Sequence, residues 1–189
     1  MVDKVKPNNT ASLHNMSNNI VDIMSALAQN TGIRTLLYID EEEPFHDKYE
    51  DMVPTPQEIL STKSDKRRIY PVSFNMNAQV DARTEIRVYY NIGRWDKSGK
   101  HIDYNMHIDI ICAKDLWLIR DLIKGKSLIR PYEIMSRIID STGRHNVNGL
   151  NLGRPVQFQM LSVNESFDAL RIYYNTTDIS GNTDSIKER

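Results

Sequence analysis

Two stretches near the C-terminal end of the chain alternate apolar and polar residues with strict period two. Val156, Phe158 and Met160 alternate with glutamines; after a polar connection from Ser162 to Asp168, Leu170, Ile172 and Tyr174 repeat the pattern. A strand sends successive side chains to opposite faces, so this alternation specifies two strands that each bury one face and wet the other. A second pair lies upstream. Ile86, Val88, Tyr90 and Ile92 share one face of a strand over 83–92, and residues 102–112 alternate from Ile102 through Ile110. Gly93 to Lys100, with Trp95 near the tip, reads as the turn between them.

Helical spacing appears in two other places. Ile20, Ile23, Met24 and Leu27 fall at i, i+3, i+4 and i+7, which predicts a helix over about 15–30, with Ser17 placed to cap it and Gly32 to end it. Ile134, Met135, Ile138 and Ile139 form a similar stripe between Pro131 and Gly143. Residues 33–39 are too short a run for periodicity to choose between helix and strand, and 115–123 reads as a short helix. The order helix, hairpin, helix, hairpin predicts an α+β domain: a mostly antiparallel sheet of about four strands, flanked by two or three helices.

The expected organisation is a flexible arm at 1–14, one domain over 15–178 and a C-terminal tail at 179–189. At 189 residues the chain is long enough for one well-buried core. Within the domain, residues 40–69 form a long charged insertion carrying Pro44, Pro54 and Pro56. Thr55 can cap a single helical turn there, with Pro56 at its first position. Connections of this length are uncommon in a compact domain unless they serve a function. Phe45, Tyr49, Met52, Val53, Ile59 and Leu60 are isolated apolar anchors on this segment, and with Trp95 they are the candidate contact residues. Trp95, among charged neighbours, suits a protein contact and local packing equally.

The chemistry-bearing residues form no familiar constellation. Cys112 is the only cysteine and sits in an apolar run, as a small buried hydrophobe does. His101, Asp103, Asn105, His107 and Asp109 share one strand face. The two histidines would stand ~20 Å apart at ~3.3 Å per residue, so one metal site cannot use both. The wet face of a half-buried sheet accounts for all five. No His-Glu-x-x-His, Gly-x-Ser-x-Gly or phosphate-loop motif occurs. The expectation is a protein without catalytic activity, cofactor or metal. Its formal charge of −1 lacks the basic excess of a free-standing nucleic-acid binder. No apolar run reaches the ~20 residues that span a bilayer, so no membrane partner and a cytoplasmic origin are expected.

Three segments resemble the neck and tail-completion proteins of tailed bacteriophages, tail terminators above all. Leu36-Leu-Tyr-Ile-Asp-Glu-Glu-Glu-Pro-Phe45 is similar to the apolar stretch and acidic loop near the start of such proteins. Arg130-Pro-Tyr-Glu-Ile-Met-Ser-Arg-Ile-Ile-Asp140 resembles the helix before their last strands. Residues 152–178, with the short Val163-Asn-Glu-Ser-Phe167 connection, resemble their closing hairpin. Together the three cover about half of the chain.

The resemblance implies a hexameric ring in the virion that caps the tail tube and joins it to the head. Its partners would be further copies of itself, the tail tube protein, the neck or connector proteins and possibly the sheath, with genomic DNA only passing through the lumen. The excess over the smallest terminators lies in the arm and in 40–69. The alternatives are a head-completion or connector protein of the same neck and, from another class, a small nucleic-acid-binding or regulatory protein.

Overall fold

The computed structural model describes residues 10–73, 83–95, 101–121, 125–143, 152 and 154–179. It is the α+β domain read from the sequence, with more strands. Helices α1 (Thr10–Gln29), α2 (Thr31–Tyr38), α3 (Pro56–Leu60) and α4 (Arg130–Gly143) accompany β1 (Ile69–Tyr70), β2 (Thr84–Trp95), β3 (His101–Ala113), β4 (Leu118–Asp121), β5 (Lys126–Ile129), β6 (Gln157–Ser162) and β7 (Phe167–Ile179). Five strands form one sheet in the order β1-β2-β3-β7-β6, while β4 and β5 make a separate two-stranded ribbon. The main sheet is mixed, because β1 runs parallel to β2 and every other pairing is antiparallel.

Helices cover one face. α1 and α2 pack on β2, and α4 packs on β3 and β7. Between them lies the core: Ile23, Leu27, Ile33, Leu36 and Leu37 from the first two helices, Ile134 and Ile138 from α4, and Ile86, Val88, Met106, Ile108, Ile110, Ile172 and Tyr174 from the sheet. A smaller apolar cluster occupies the opposite face at one end of the sheet, where Ile111, Ala113, Phe167 and Ala169 meet Leu116, Leu161 and Val163.

Several expectations are corrected. α1 begins at Thr10, five residues before the predicted start, so Ser17 lies inside the helix and caps nothing. The undecided run at 33–39 is helix as far as Tyr38: Asn30 caps α2 by accepting a hydrogen bond from the Ile33 amide at 3.1 Å, and Ile39 is its extended C-cap. Residues 115–121 are not the predicted helix, and 122 and 123 lie outside the described residues. A single 3-10 turn (Lys114–Leu116) leads into β4, whose Leu118 pairs with Ile129 of β5. Ile92 does not share a face with Ile86, Val88 and Tyr90. The register slips between Tyr90 and Ile92, so Ile92 pairs with Asn105 and turns to the opposite side, 44% exposed. Phe158 and Met160, expected inside, are 58% and 38% exposed. They do share the core face, opposite Ile172 and Leu170, but β6 is the edge strand, and among the described residues no helix packs closely on it.

Arg130 fastens that layer. Fully buried, it donates from Nη1 to the carbonyls of Leu36 at 2.9 Å and Ile39 at 2.7 Å, from Nη2 to Glu41 at 2.7 Å, and from Nε to Leu116 at 2.8 Å. Leu36 and Ile39 lie at the C-terminal end of α2, where carbonyls lack helical partners and a cation is favoured. One side chain thus ties α2, the acidic run, the 3-10 turn and α4 together.

Candidate interaction surfaces

The 40–69 segment is pinned at several points. Arg120 meets its acidic run, with the Arg120 amide donating to the Glu42 carbonyl at 2.6 Å and its guanidinium 3.7 Å from the Glu43 carboxylate. Pro44 and Pro54 are buried. In α3, Thr55 and Glu58 form a capping box, and Glu58 also pairs with Lys66 at 3.0 Å. These hydrogen bonds, from the Thr55 backbone first, hold the Glu58 carboxyl down at about 2. The segment ends by joining the sheet as β1, with the Arg68 amide bonded back to the Ile59 carbonyl at 3.1 Å.

This anchoring divides the six apolar candidates of the segment. Ile59 is fully buried in the main core and serves the chain's own interior, and Leu60, half-buried, packs against that core. Tyr49 and Val53 are half-buried. Lys48 Nζ stands 4.6 Å over the Tyr49 ring, in a 3-10 turn (Asp47–Met52) capped by His46 Nδ1. Only Phe45 and Met52 stand out, at 42% and 53% exposed. Phe45 has a firm base, because the Arg137 guanidinium stacks 5.2 Å from its ring centre. The same guanidinium lies across Gly32, where an added Cβ would sit 2.7 Å from Nη1. Trp95 is the last residue of β2, paired with Ile102, and not part of the turn where the sequence placed it. Its side chain lies outside the described residues.

The β6 edge was not anticipated as a surface. Val156, Phe158 and Met160 are 59%, 58% and 38% exposed, in a row that carries no charge from Pro155 to Val163. A second apolar pair sits on the ribbon, where Leu118 and Ile129 face each other across the strands at 60% and 41% exposed.

The helix-free face carries the polar residues singled out in β3. The expected wet face is not wet there: His107 and Asp109 are only 3% and 1% exposed, while Asp103 is exposed and Asn105 half-buried. The His101 side chain lies outside the described residues. Asp109 accepts from Tyr89 Oη at 2.8 Å and from Arg171 through Nε at 2.7 Å and Nη2 at 2.8 Å. Both carboxylate oxygens are therefore committed to a bidentate pair. His107 lies between the Tyr89 and Tyr173 rings, edge-on at 5.5 and 4.7 Å. Burial, then the Arg171 charge, lower its pKa and favour the neutral ring. Burial and Asp109 also push the Tyr89 phenol up. The cluster fastens β2, β3 and β7 across their shared face; Tyr89, Asp109 and Arg171 are occupied with one another, while His107 is held by its ring contacts and its buried Nδ1 has no hydrogen-bond partner among the described residues.

Cys112 is buried beside Thr84 Oγ1 at 3.5 Å, and burial pushes its thiol up to about 11, which keeps it protonated and unreactive at neutral pH. Among the described residues no group of three or more His, Cys, Asp or Glu side chains is placed to hold a metal ion. Nor is any described helix long and apolar enough to cross a membrane.

Known proteins place the chain at the level of family. It belongs to the YomW family, whose model matches residues 30–176, nearly everything between the two chain ends. That family is phage-derived, which makes this a phage-family protein. No curated protein matches the chain.

Proposed function

We propose that this phage-family protein is a structural, non-catalytic component of the virion: a tail terminator whose copies close a hexameric ring on the tail tube and join it to the neck. The supporting observation is that the domain is two-ended. Its sheet exposes apolar residues at opposite edges, Val72 just past β1 and the Val156-Phe158-Met160 row on β6. A ring needs such a pair of unlike surfaces, because subunits joined head to tail meet through different patches and close when the rotation divides a circle. Phe45 and Met52, on a segment pinned beneath them, supply a third surface suited to the tube or the neck. A near-neutral total charge fits a lumen through which DNA passes without adhering.

The test is a phage carrying an amber mutation in this gene, examined in lysates by electron microscopy. Tails of uncontrolled length, unattached to filled heads, are expected. Tails of normal length beside heads that have lost their DNA would instead identify a head-completion or connector protein. Particles indistinguishable from wild type would overturn a structural role and favour the nucleic-acid-binding or regulatory alternative.

A further inference from the structure

The β6 edge has the properties of an acceptor for an added strand. Every second backbone N–H and C=O of an edge strand points outward unpaired, and natural edges are guarded by charge, proline or bulges. From Gln157 to Ser162, β6 has none of the three. Its apolar row lies on the core face, so the apolar layer of the sheet runs past the last strand that helices cover.

A matching donor is written in the chain itself. Val72, Phe74, Met76, Ala78 and Val80 alternate with Ser73, Asn75, Asn77 and Gln79, a neutral period-two pattern. Its Val-x-Phe-x-Met opening repeats that of Val156, Phe158 and Met160. Residues 74–82 lie outside the described residues, but their attachment is fixed: residues 71–83 join β1 to β2. A strand added outside β6 would lie five strand spacings from β1 and four from β2. That is about 24 Å out and about 19 Å back at ~4.8 Å per spacing. At ~3.4 Å per residue the journey consumes about thirteen residues, the whole connection, and leaves none to pair. The chain cannot reach its own β6.

We propose that residues 72–80 of one copy pair with the β6 edge of the next, continuing the sheet from subunit to subunit. The arrangement rests on the ring reading and gives it a mechanism. Each copy donates at its β1 edge and accepts at its β6 edge, so the contact is heterologous and is satisfied at every subunit only in a closed ring. Main-chain hydrogen bonds provide affinity, and the facing Phe and Met side chains set the register. Donation also brings the donor's α1 and α3, which pack at its β1 edge, alongside the exposed apolar row of the acceptor.

Two measurements on the full-length protein separate this inference from the ring itself. Native mass spectrometry of wild type reports the ring. It should be compared with an acceptor variant, Phe158→Asp with Met160→Asp, and a donor variant, Phe74→Asp with Met76→Asp. Both variants should be folded monomers by circular dichroism and mass. A concentrated equimolar mixture should give one-to-one dimers, since one intact donor meets one intact acceptor. Separately, a labelled peptide spanning 71–81 should bind the donor variant, whose acceptor edge is intact, and bind the acceptor variant about tenfold more weakly or worse. Rings that persist in either variant overturn the strand exchange and leave the ring reading standing. Wild type that stays monomeric while the peptide binds overturns the ring and upholds the edge as an acceptor. A peptide that distinguishes neither variant overturns the inference outright.

Discussion

Ile172 and Phe158 are cross-strand partners on the same face of the same sheet, yet one is fully buried and the other 58% exposed. Leu170 and Met160 repeat the contrast at 1% and 38%. All four are large apolar residues alternating with polar neighbours in extended chain. What differs is the layer above them, since among the described residues α4 packs on β3 and β7 and no helix packs closely on β6. Alternation reports which way a side chain points, whereas burial depends on what lands on that face. An apolar row that points correctly and stays uncovered is where a monomer is unfinished.

The largest expected effect comes from loosening the cover. Arg130→Ala leaves four main-chain carbonyls without their donor. The bonds to Leu36 and Ile39 are buried and the other two partly so; at ~1–3 kcal/mol for each buried unsatisfied group, destabilisation of about 2–6 kcal/mol is expected in urea unfolding. A loss under ~1 kcal/mol would mean that α2 and α4 are held by apolar packing alone, and the contrast between covered and bare strands would need another origin.

The direct comparison comes next. Ile172→Ala should destabilise the monomer by ~2–5 kcal/mol. Its partner substitution, Phe158→Ala, should change monomer stability by less than ~0.5 kcal/mol, as surface replacements do. The two should be measured in a background that cannot assemble, because assembly stabilises whatever it buries. Equal losses would show that β6 is covered within the subunit.

Much of the covered region was legible in the sequence, and the reasons are physical. Ile86, Val88, Met106, Ile108, Ile110 and Ile172 lie on long strands where the period-two signal is unambiguous, and the α4 stripe is an equally plain period of 3.6. Ile92 was misplaced because a bulge adds one residue without changing the composition. Residues 115–121 read as helix because four apolar residues in a row, Leu116 to Ile119, satisfy both periods. Arg130 could not be foreseen, since its four acceptors come from two distant segments. Ile59 looked like a loop residue in need of a partner until the fold brought the core to it. Among the contact candidates, sequence could not sort inward from outward.

The helix-free face carries its own cover, made of side chains, and pH probes it. The His107 pKa is depressed in the fold, so the unfolded chain takes up a proton first as pH falls. Stability should therefore be complete above the ordinary histidine value of about 6.5 and decline below it. His107→Phe, which keeps an edge-on ring between Tyr89 and Tyr173, should remove that limb of the stability curve. An unaltered acid limb would place the titration on another group.

The smallest effect concerns the 40–69 segment, where the contrast between covered and bare recurs within a few residues: Ile59 is sealed and Met52 stands out. The capping box at Thr55 and Glu58 holds α3 in the orientation that seals Ile59, so weakening it tests whether the segment is part of the core or an appendage. Thr55→Ala should cost about 1 kcal/mol at neutral pH. Glu58 adds a signature in acid. Its folded pKa, about 2, lies below the usual 4.5, so its contribution is complete above pH 4.5 and is lost as pH falls from there toward 2. Glu58→Gln should flatten the stability curve across that window and leave the slope near pH 6.5 unchanged. If instead Thr55→Ala leaves global stability intact but speeds proteolysis within 40–69, the segment opens independently of the core, and Phe45 and Met52 are presented by a hinged element and not by a fixed ledge.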